Sequence, residues 1–285
     1  MKIGIIGRKR HGKDTISDYL ISHYNFDKTA FAGLLKEVCR ILYAFNDDQL
    51  YGEKKEDMDE RYGFRPRDAF DWFGTHIMRN KFHEMTKTTL AKHSFWNYRM
   101  ELFLDGKLLQ QPLSGISILE QTCRLIFGFP TDCNPTTVDP RWGISYNEAM
   151  EFINWAMTIE FKTIKSTITT NFWEYRSAIP TPTSQYIQTL TKPNLVFSDC
   201  RFPNEAALLK RYNSILIKVI RPNIPNDDTL ESERVVDTIT DIDYTIINNG
   251  TIDELYEHVN QIMANQIMAN QSESKPSIIK SNNII

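Results

Sequence analysis

Long apolar runs are missing from this chain. No stretch approaches the roughly 20 apolar residues that a membrane-spanning helix needs, so no membrane partner is expected. Cysteine is scarce: Cys39, Cys123, Cys133 and Cys200 are widely scattered, with no CxxC pair and no zinc spacing. They read as free thiols of a reducing compartment. An excess of either charge is lacking too, since the formal net charge is −3. No global basic field points to nucleic acid. Strand and loop begin at once, which leaves no room for a signal peptide, and a cytoplasmic protein is expected. What the chain does have is 285 residues with a hydrophobic content of 41%. That is enough for a real core in one large or two small domains.

The most informative stretch is Gly7-Arg8-Lys9-Arg10-His11-Gly12-Lys13-Asp14-Thr15, directly after the apolar run Ile3-Gly4-Ile5-Ile6. The order is strand, glycine-bounded loop, then the amphipathic run Thr15–Tyr24, as a phosphate-binding loop requires. Gly7 and Gly12 permit backbone angles that a Cβ would block. The loop can therefore turn its N–H groups, those of Lys9 and His11 among them, toward a phosphate chain. The following helix aims its positive end at the same point, and Lys13 reaches the outer phosphates as a point charge. G-x4-G-K is the Walker A spacing, but Asp14 stands where Ser or Thr is usual, with Thr15 one step later. A carboxylate is a good ligand for a hard cation, directly or through water, so Asp14 is expected to hold water or metal.

Along the rest of the chain, Phe26–Phe31 reads as a second strand and Ala32–Phe45 as a helix with Lys36 near its start. Lys36 is a phosphate contact or a solvated lysine. Arg67–Met85 has helical periodicity, Pro66 suits its first position, and Gly74-Thr75 interrupts it. A glycine there costs about 1 kcal/mol relative to alanine, so close packing or a kink is expected. Arg67 and Arg79 are anion binders or exposed arginines. From about 83 to 192 the chain is aromatic-rich and mostly helical in pattern. Asp59-Glu60-Arg61-Tyr62-Gly63 recurs as Asp139-Pro140-Arg141-Trp142-Gly143, each after a Cys-Arg apolar run. This is a duplicated helical unit or a coincidence, and Asn147 stands in the second copy where the first has Arg67.

Leu195–Ser198 fits a buried parallel strand and leads into Asp199-Cys200-Arg201-Phe202-Pro203-Asn204-Glu205. In a doubly wound sheet ligands gather at the carboxyl ends of strands. Asp199 can orient metal-bound water or act as a base, and Arg201 can hold a phosphate with its planar fork. The same two residues can also form a pair that only closes the loop. Glu205 favours a helix N-terminus. Ser214–Ile220 is a further strand ending at Arg221-Pro222. The polar segment after it, with Ser232, Glu233 and Arg234, is a lid or a plain surface loop. Tyr244–Ile247 is the last strand, and Thr251 caps a helix. The tail repeats Gln-Ile-Met-Ala-Asn at 261–265 and 266–270, and 263–285 is expected to fray and be disordered.

These motifs, in this order, resemble the deoxynucleoside monophosphate kinases of bacteriophages and large DNA viruses. The resemblance covers roughly the first eighty residues and about 194 to 262. It is carried by Gly7…Gly12-Lys13-Asp14-Thr15, Phe31-Ala32…Leu35-Lys36, Pro66-Arg67 with Gly74-Thr75, Asp199 to Glu205, Val219-Ile220-Arg221-Pro222, and Ile246-Ile247-Asn248-Asn249-Gly250-Thr251.

Membership would imply a three-layer α/β/α P-loop NTPase fold. It would have a mostly parallel central sheet of about five strands, a core at 1–82 and 193–262, and a large helical insertion at about 83–192. It would further imply ATP and Mg2+ as cofactors and a nucleoside monophosphate as substrate, with Lys36, Arg67 and Arg201 on its phosphate and Arg79 and Glu205 nearby. Lys13, Asp199 and Arg201 would be catalytic, Asp14 and Asp199 would face the metal, and the segment after Arg221 would be the lid. The location would be the host cytoplasm if the chain is viral. No nucleic-acid partner is expected, and a homodimer is left open.

Two departures stand out. The family's lid tends to carry His-x-Ser-Glu, but here Leu230 replaces the histidine. The expected Phe-Trp pair could be Phe95-Trp96 or Phe172-Trp173. The rival readings are a P-loop kinase of another small phosphorylated metabolite, such as phosphomevalonate, and a non-enzymatic ATP-sensing module.

Overall fold

The computed structural model describes residues 1–86, 95–107, 115–164, 166–168, 171–182, 192–222, 224 and 231–273. Among the described residues no helix is long and apolar enough to cross a membrane. Residues 225–230 of the candidate lid and the tail from 274 fall outside these residues. The chain divides into two compact units, one of residues 1–28 with 190–285 and the other of residues 29–189. Residues 29–82, grouped with the sheet in the sequence reading, pack within the second unit.

The strands in chain order are β1 (Lys2–Ile6), β2 (Phe26–Thr29), β3 (Val138–Asp139), β4 (Ile144–Ser145), β5 (Asn194–Cys200), β6 (Ile215–Ile220) and β7 (Tyr244–Ile247). Five of them form the central sheet, in the order β2-β5-β1-β6-β7. β1 runs parallel to β5 and β6, and β7 runs parallel to β6. This is the parallel α/β architecture expected from the motif order.

Period-two alternation gives the sheet two buried faces. Ile3 and Ile5 point into a core shared with Ile16 and Leu20 of helix α1 (Lys13–Tyr24) and with Leu255, Val259 and Ile262 of the C-terminal helix. The intervening Gly4 faces Leu209 of the helix Pro203–Arg211, so helices cover both sides. The connection from β1 leads to β2 on one side of it, and the connection from β5 leads to β6 on the other, so the carboxyl ends of β1, β5 and β6 meet where ligands bind in open α/β sheets.

The last helix starts as expected, where the Thr251 N–H donates to Glu254 at 2.7 Å. It runs to Glu273, past the fraying point read from the sequence. The pentapeptide repeat explains its uneven coverage. Five residues turn an α-helix through about 140° beyond a full turn, so the copies cannot share a face. Ile262 and Met263 are buried, while Ile267 and Met268 are exposed.

The second unit is built on aromatic packing around helix α2 (Gly33–Tyr43) and the helices Ile118–Phe127 and Tyr146–Thr158. The sequence echo is a structural one. Both Asp-x-Arg-aromatic-Gly segments follow a helix that ends in a left-handed residue, Ala44 or Gly128. In each, the glycine N–H donates to the aspartate carbonyl at 2.8 Å. In each, the arginine grips the aspartate and reaches back to the end of an earlier helix, Arg61 to the Ala44 carbonyl after α2 and Arg141 to the Gly128 carbonyl after Ile118–Phe127. Burial alone would raise both carboxyl pKa values, but the arginine hydrogen bonds outweigh it and hold Asp59 and Asp139 low. Tyr62 and Trp142 are the buried aromatics of the two turns, and each turn then opens a helix.

The interruption at Gly74-Thr75 is a change of helix type. Pro66–Asp71 is α-helical, and Trp72–Lys81 widens to a π-helix in which the Phe82 N–H bonds the Ile77 carbonyl. Trp96 donates to the Gly74 carbonyl at 2.8 Å, so Phe95-Trp96 is the aromatic pair that docks on this glycine. A Cβ on Gly74 would stand 2.4 Å from Leu35 Cδ2. Gly74→Ala is therefore expected to lower stability by about 1–3 kcal/mol through overpacking. Adding Leu35→Ala should recover part of that loss, so that the double variant in urea unfolding is more stable than additivity allows.

Candidate active site

The loop from β1 to α1 is shaped by contacts with the carboxyl end of the sheet. A Cβ on Gly7 would lie 2.6 Å from the Val219 carbonyl at the end of β6, so only glycine lets the loop leave β1 this close to its neighbour. Gly12 has φ 108°, and a Cβ there would meet Asn248 Nδ2 at 2.7 Å. That Nδ2 donates to the His11 carbonyl at 2.9 Å. Asn248 thus ties the loop to the end of β7. The Asn-Asn-Gly pattern could not reveal this, because it is equally the pattern of an isolated turn.

His11 is buried against the same edge. Its Nδ1 lies 3.2 Å from the Val219 carbonyl and 3.3 Å from the Arg221 N–H. Only one of these is a hydrogen bond in a given tautomer. Burial, ahead of the weaker effect of the neighbouring charges, lowers its pKa. His11 therefore acts here as a strut of the loop.

Lys13 opens α1 and is buried, with 7% exposure. Its ammonium donates to the Arg8 carbonyl at 2.8 Å, inside its own loop. Burial, and then the positive charge of Arg201, push its pKa down to about 8, against the pull of Glu233, Asp14 and Asp199. The structure thus gathers Lys13, Asp199 and Arg201, the three residues assigned catalytic roles from the sequence. Asp199 is the penultimate residue of β5. Arg201 Nη1 donates to Glu233 Oε1 at 2.8 Å, and the other Glu233 oxygen accepts the Lys9 N–H at 2.9 Å.

The remaining sequence candidates divide. Asp14 is exposed and ion-paired with Lys28 at 3.1 Å. Thr15 is half-buried in the first turn of α1. Glu205, a substrate-binding candidate, is buried and accepts the backbone N–H groups of Arg201 and Phe202 at 2.8 and 3.1 Å. It holds the turn that carries Arg201. Glu233, assigned to a mobile lid, is buried on the loop, whereas Arg221 and Arg234 are exposed and Ser232 lies on the short helix Glu231–Val235.

Lys36, Arg67 and Arg79 belong to the second unit. Lys36 stands in the first turn of α2 with its ammonium 4.5 Å from the centre of the Tyr51 ring. Arg67 pairs with Glu56 at 2.7 Å, and Arg79 is half-buried on the π-helical stretch. Among the described residues no three His, Cys, Asp or Glu side chains are grouped to hold a metal ion.

No protein-family model matches the chain. Over 260 residues it is 26% identical to a protein of Acanthamoeba polyphaga mimivirus named "Putative deoxynucleotide monophosphate kinase", covering 90% of this chain and 93% of that one. The chain is similar, over most of its length, to a viral protein that bears the name of a nucleotide kinase. The alignment spans both units, so the likeness is not confined to the loop between β1 and α1.

Titration of Lys13 gives a prediction with a definite sign. In the unfolded chain the ammonium keeps its proton to about 10.5, and in the folded protein to about 8. Between these values the unfolded state holds more protons, so the stability contributed by this residue rises with pH. Below about 8 both states are protonated and the contribution is flat. In urea unfolding, the stability of the wild type relative to Lys13→Met should climb from pH 7.5 to 9.5, and a flat or falling difference contradicts the burial argument.

Proposed function

We propose that the protein transfers the terminal phosphoryl group of ATP to a deoxynucleoside monophosphate, giving ADP and the diphosphate. The observation that carries this reading is the clustering of buried Lys13 with half-buried Arg201 and Asp199 at the carboxyl end of a parallel sheet. The near full-length similarity to the mimivirus protein supports the choice of acceptor.

The loop N–H groups between Gly7 and Lys13 bind the β- and γ-phosphates, and the N-terminus of α1 adds its dipole. On binding, Lys13 exchanges the Arg8 carbonyl for a phosphate oxygen, a stronger, charge-assisted bond. Arg201 faces the charge that spreads over the transferring group. Lys36 and Arg67, with Arg79, are assigned to the acceptor phosphate by the family resemblance, and Arg221, Ser232 and Arg234 to a lid.

The donor set fits magnesium rather than a transition metal, because the cation would be held by nucleotide phosphates and one or two carboxylates. Asp199 is the first of these and Asp14 the second, the latter after release from Lys28. Magnesium supplies charge neutralisation at the β- and γ-oxygens when bound. Positioning and electrostatics suffice for such a transfer, with no covalent intermediate on the protein.

The test is a coupled assay of ADP release across dGMP, dTMP, dCMP and dAMP. Acceptor-dependent turnover is expected, with Lys13→Ala and Arg201→Ala each lowering kcat/KM about 10²–10³-fold at temperatures where both variants remain folded. Turnover with a phosphorylated non-nucleotide metabolite alone would reassign the acceptor. Tight ATP binding with no turnover on any acceptor would remove the kinase reading.

A further inference from the structure

Glu233 holds a place that the loop would be expected to offer to a ligand. It sits on the five-residue helix Glu231–Val235, far along the chain from the loop, and its side chain is 4% exposed. One oxygen accepts the backbone N–H of Lys9, in the middle of the phosphate-binding loop, at 2.9 Å. The other accepts from the guanidinium of Arg201 at 2.8 Å. Burying a carboxylate costs several kcal/mol unless charge and hydrogen bonds replace its water, and a loop N–H and an arginine supply both. The charge of Glu233 is also felt by Lys13 and by His11. An anion with two acceptor oxygens thus rests on groups that suit a phosphate.

We propose that the Glu233 carboxylate is a built-in occupant of the phosphate seat, which a polyphosphate ligand must displace. This rests on reading the loop as a triphosphate site, and goes beyond it by giving the site a resident competitor. The exchange has a selective consequence. A polyphosphate brings more charge than one carboxylate and also gains Lys13, so it wins the seat. A single orthophosphate brings little more than the carboxylate does and also has to be captured from solution. The free protein therefore keeps the Lys9 N–H and the Arg201 guanidinium occupied in the presence of simple anions and opens to polyphosphates. The apparent affinity for any such ligand is its intrinsic affinity reduced by the fraction of molecules in which the seat is open.

The experiment is calorimetric titration of magnesium-free tripolyphosphate, and separately of orthophosphate, into the full chain and its variants. Glu233→Gln keeps the size and one acceptor oxygen but removes the charge. It is expected to bind tripolyphosphate about tenfold more tightly than wild type and to gain measurable orthophosphate binding. Glu233→Asp keeps the charge on a shorter reach that cannot span both partners, and should fall between the two. Equal or weaker tripolyphosphate binding in Glu233→Gln, or no binding by either protein, overturns the proposal.

Should the glutamine variant fail to melt cooperatively, wild-type hydrogen exchange decides. Amides of residues 231–235 must exchange faster when tripolyphosphate is added, and unchanged or slower exchange overturns the proposal. The assay of nucleotide turnover is independent. A Glu233→Gln protein that binds more tightly but never forms a diphosphate removes the kinase reading and leaves this one standing. Turnover without a change in polyphosphate binding does the reverse.

Discussion

A buried ammonium that must stay charged is the constraint on which the sheet's carboxyl edge depends. Lys13 has little water around it, and an unpaired charge in such a place is unfavourable by several kcal/mol. The fold answers with geometry. The Arg8 carbonyl is turned inward to accept from the ammonium, which requires the tight path between Gly7 and Gly12. That path is fixed from outside by the end of β6 and by Asn248 beyond β7. The carboxylates of Glu233, Asp14 and Asp199 favour the charge, and Arg201 opposes it. Three parallel strands are thus held in register at their ends by the needs of one side chain.

Much of this edge was legible in the sequence, because it is encoded locally. The strand, the glycine pair, the lysine and the following helix lie within two dozen residues, and each has a physical signature of its own. β7 and the Thr251 cap were legible for the same reason. Asp199 and Arg201 could be placed because an apolar strand has a readable end. What escaped is non-local. Glu233 reads as a surface charge in a polar segment, and only folding brings it to the loop. The pairing of Asp14 with Lys28, fourteen residues on, also appears only on folding. The division of the chain at residue 29 also depends on which aromatic side chains share a core, and periodicity along one segment cannot show that.

The aromatic unit carries its own internal logic. Each of its two related turns uses an aspartate to organise a glycine-closed backbone and an arginine to fasten it to the helix before it. The buried ring that follows, Tyr62 or Trp142, anchors the turn in the core. The apolar spacing of the next helix is shared as well, with Ala69, Phe73 and Ile77 buried in one copy and Ala149, Ile153 and Met157 in the other.

Such doubling separates architecture from commitment. Both copies must keep the clasp that shapes their backbone, but only one needs any particular side chain outside it. Position 67 is arginine and its counterpart at 147 is asparagine, so the twins already differ where the clasp makes no demand. A module held together by so few internal contacts leaves the rest of its surface to drift, and one twin can take up a new role while its sibling preserves the frame.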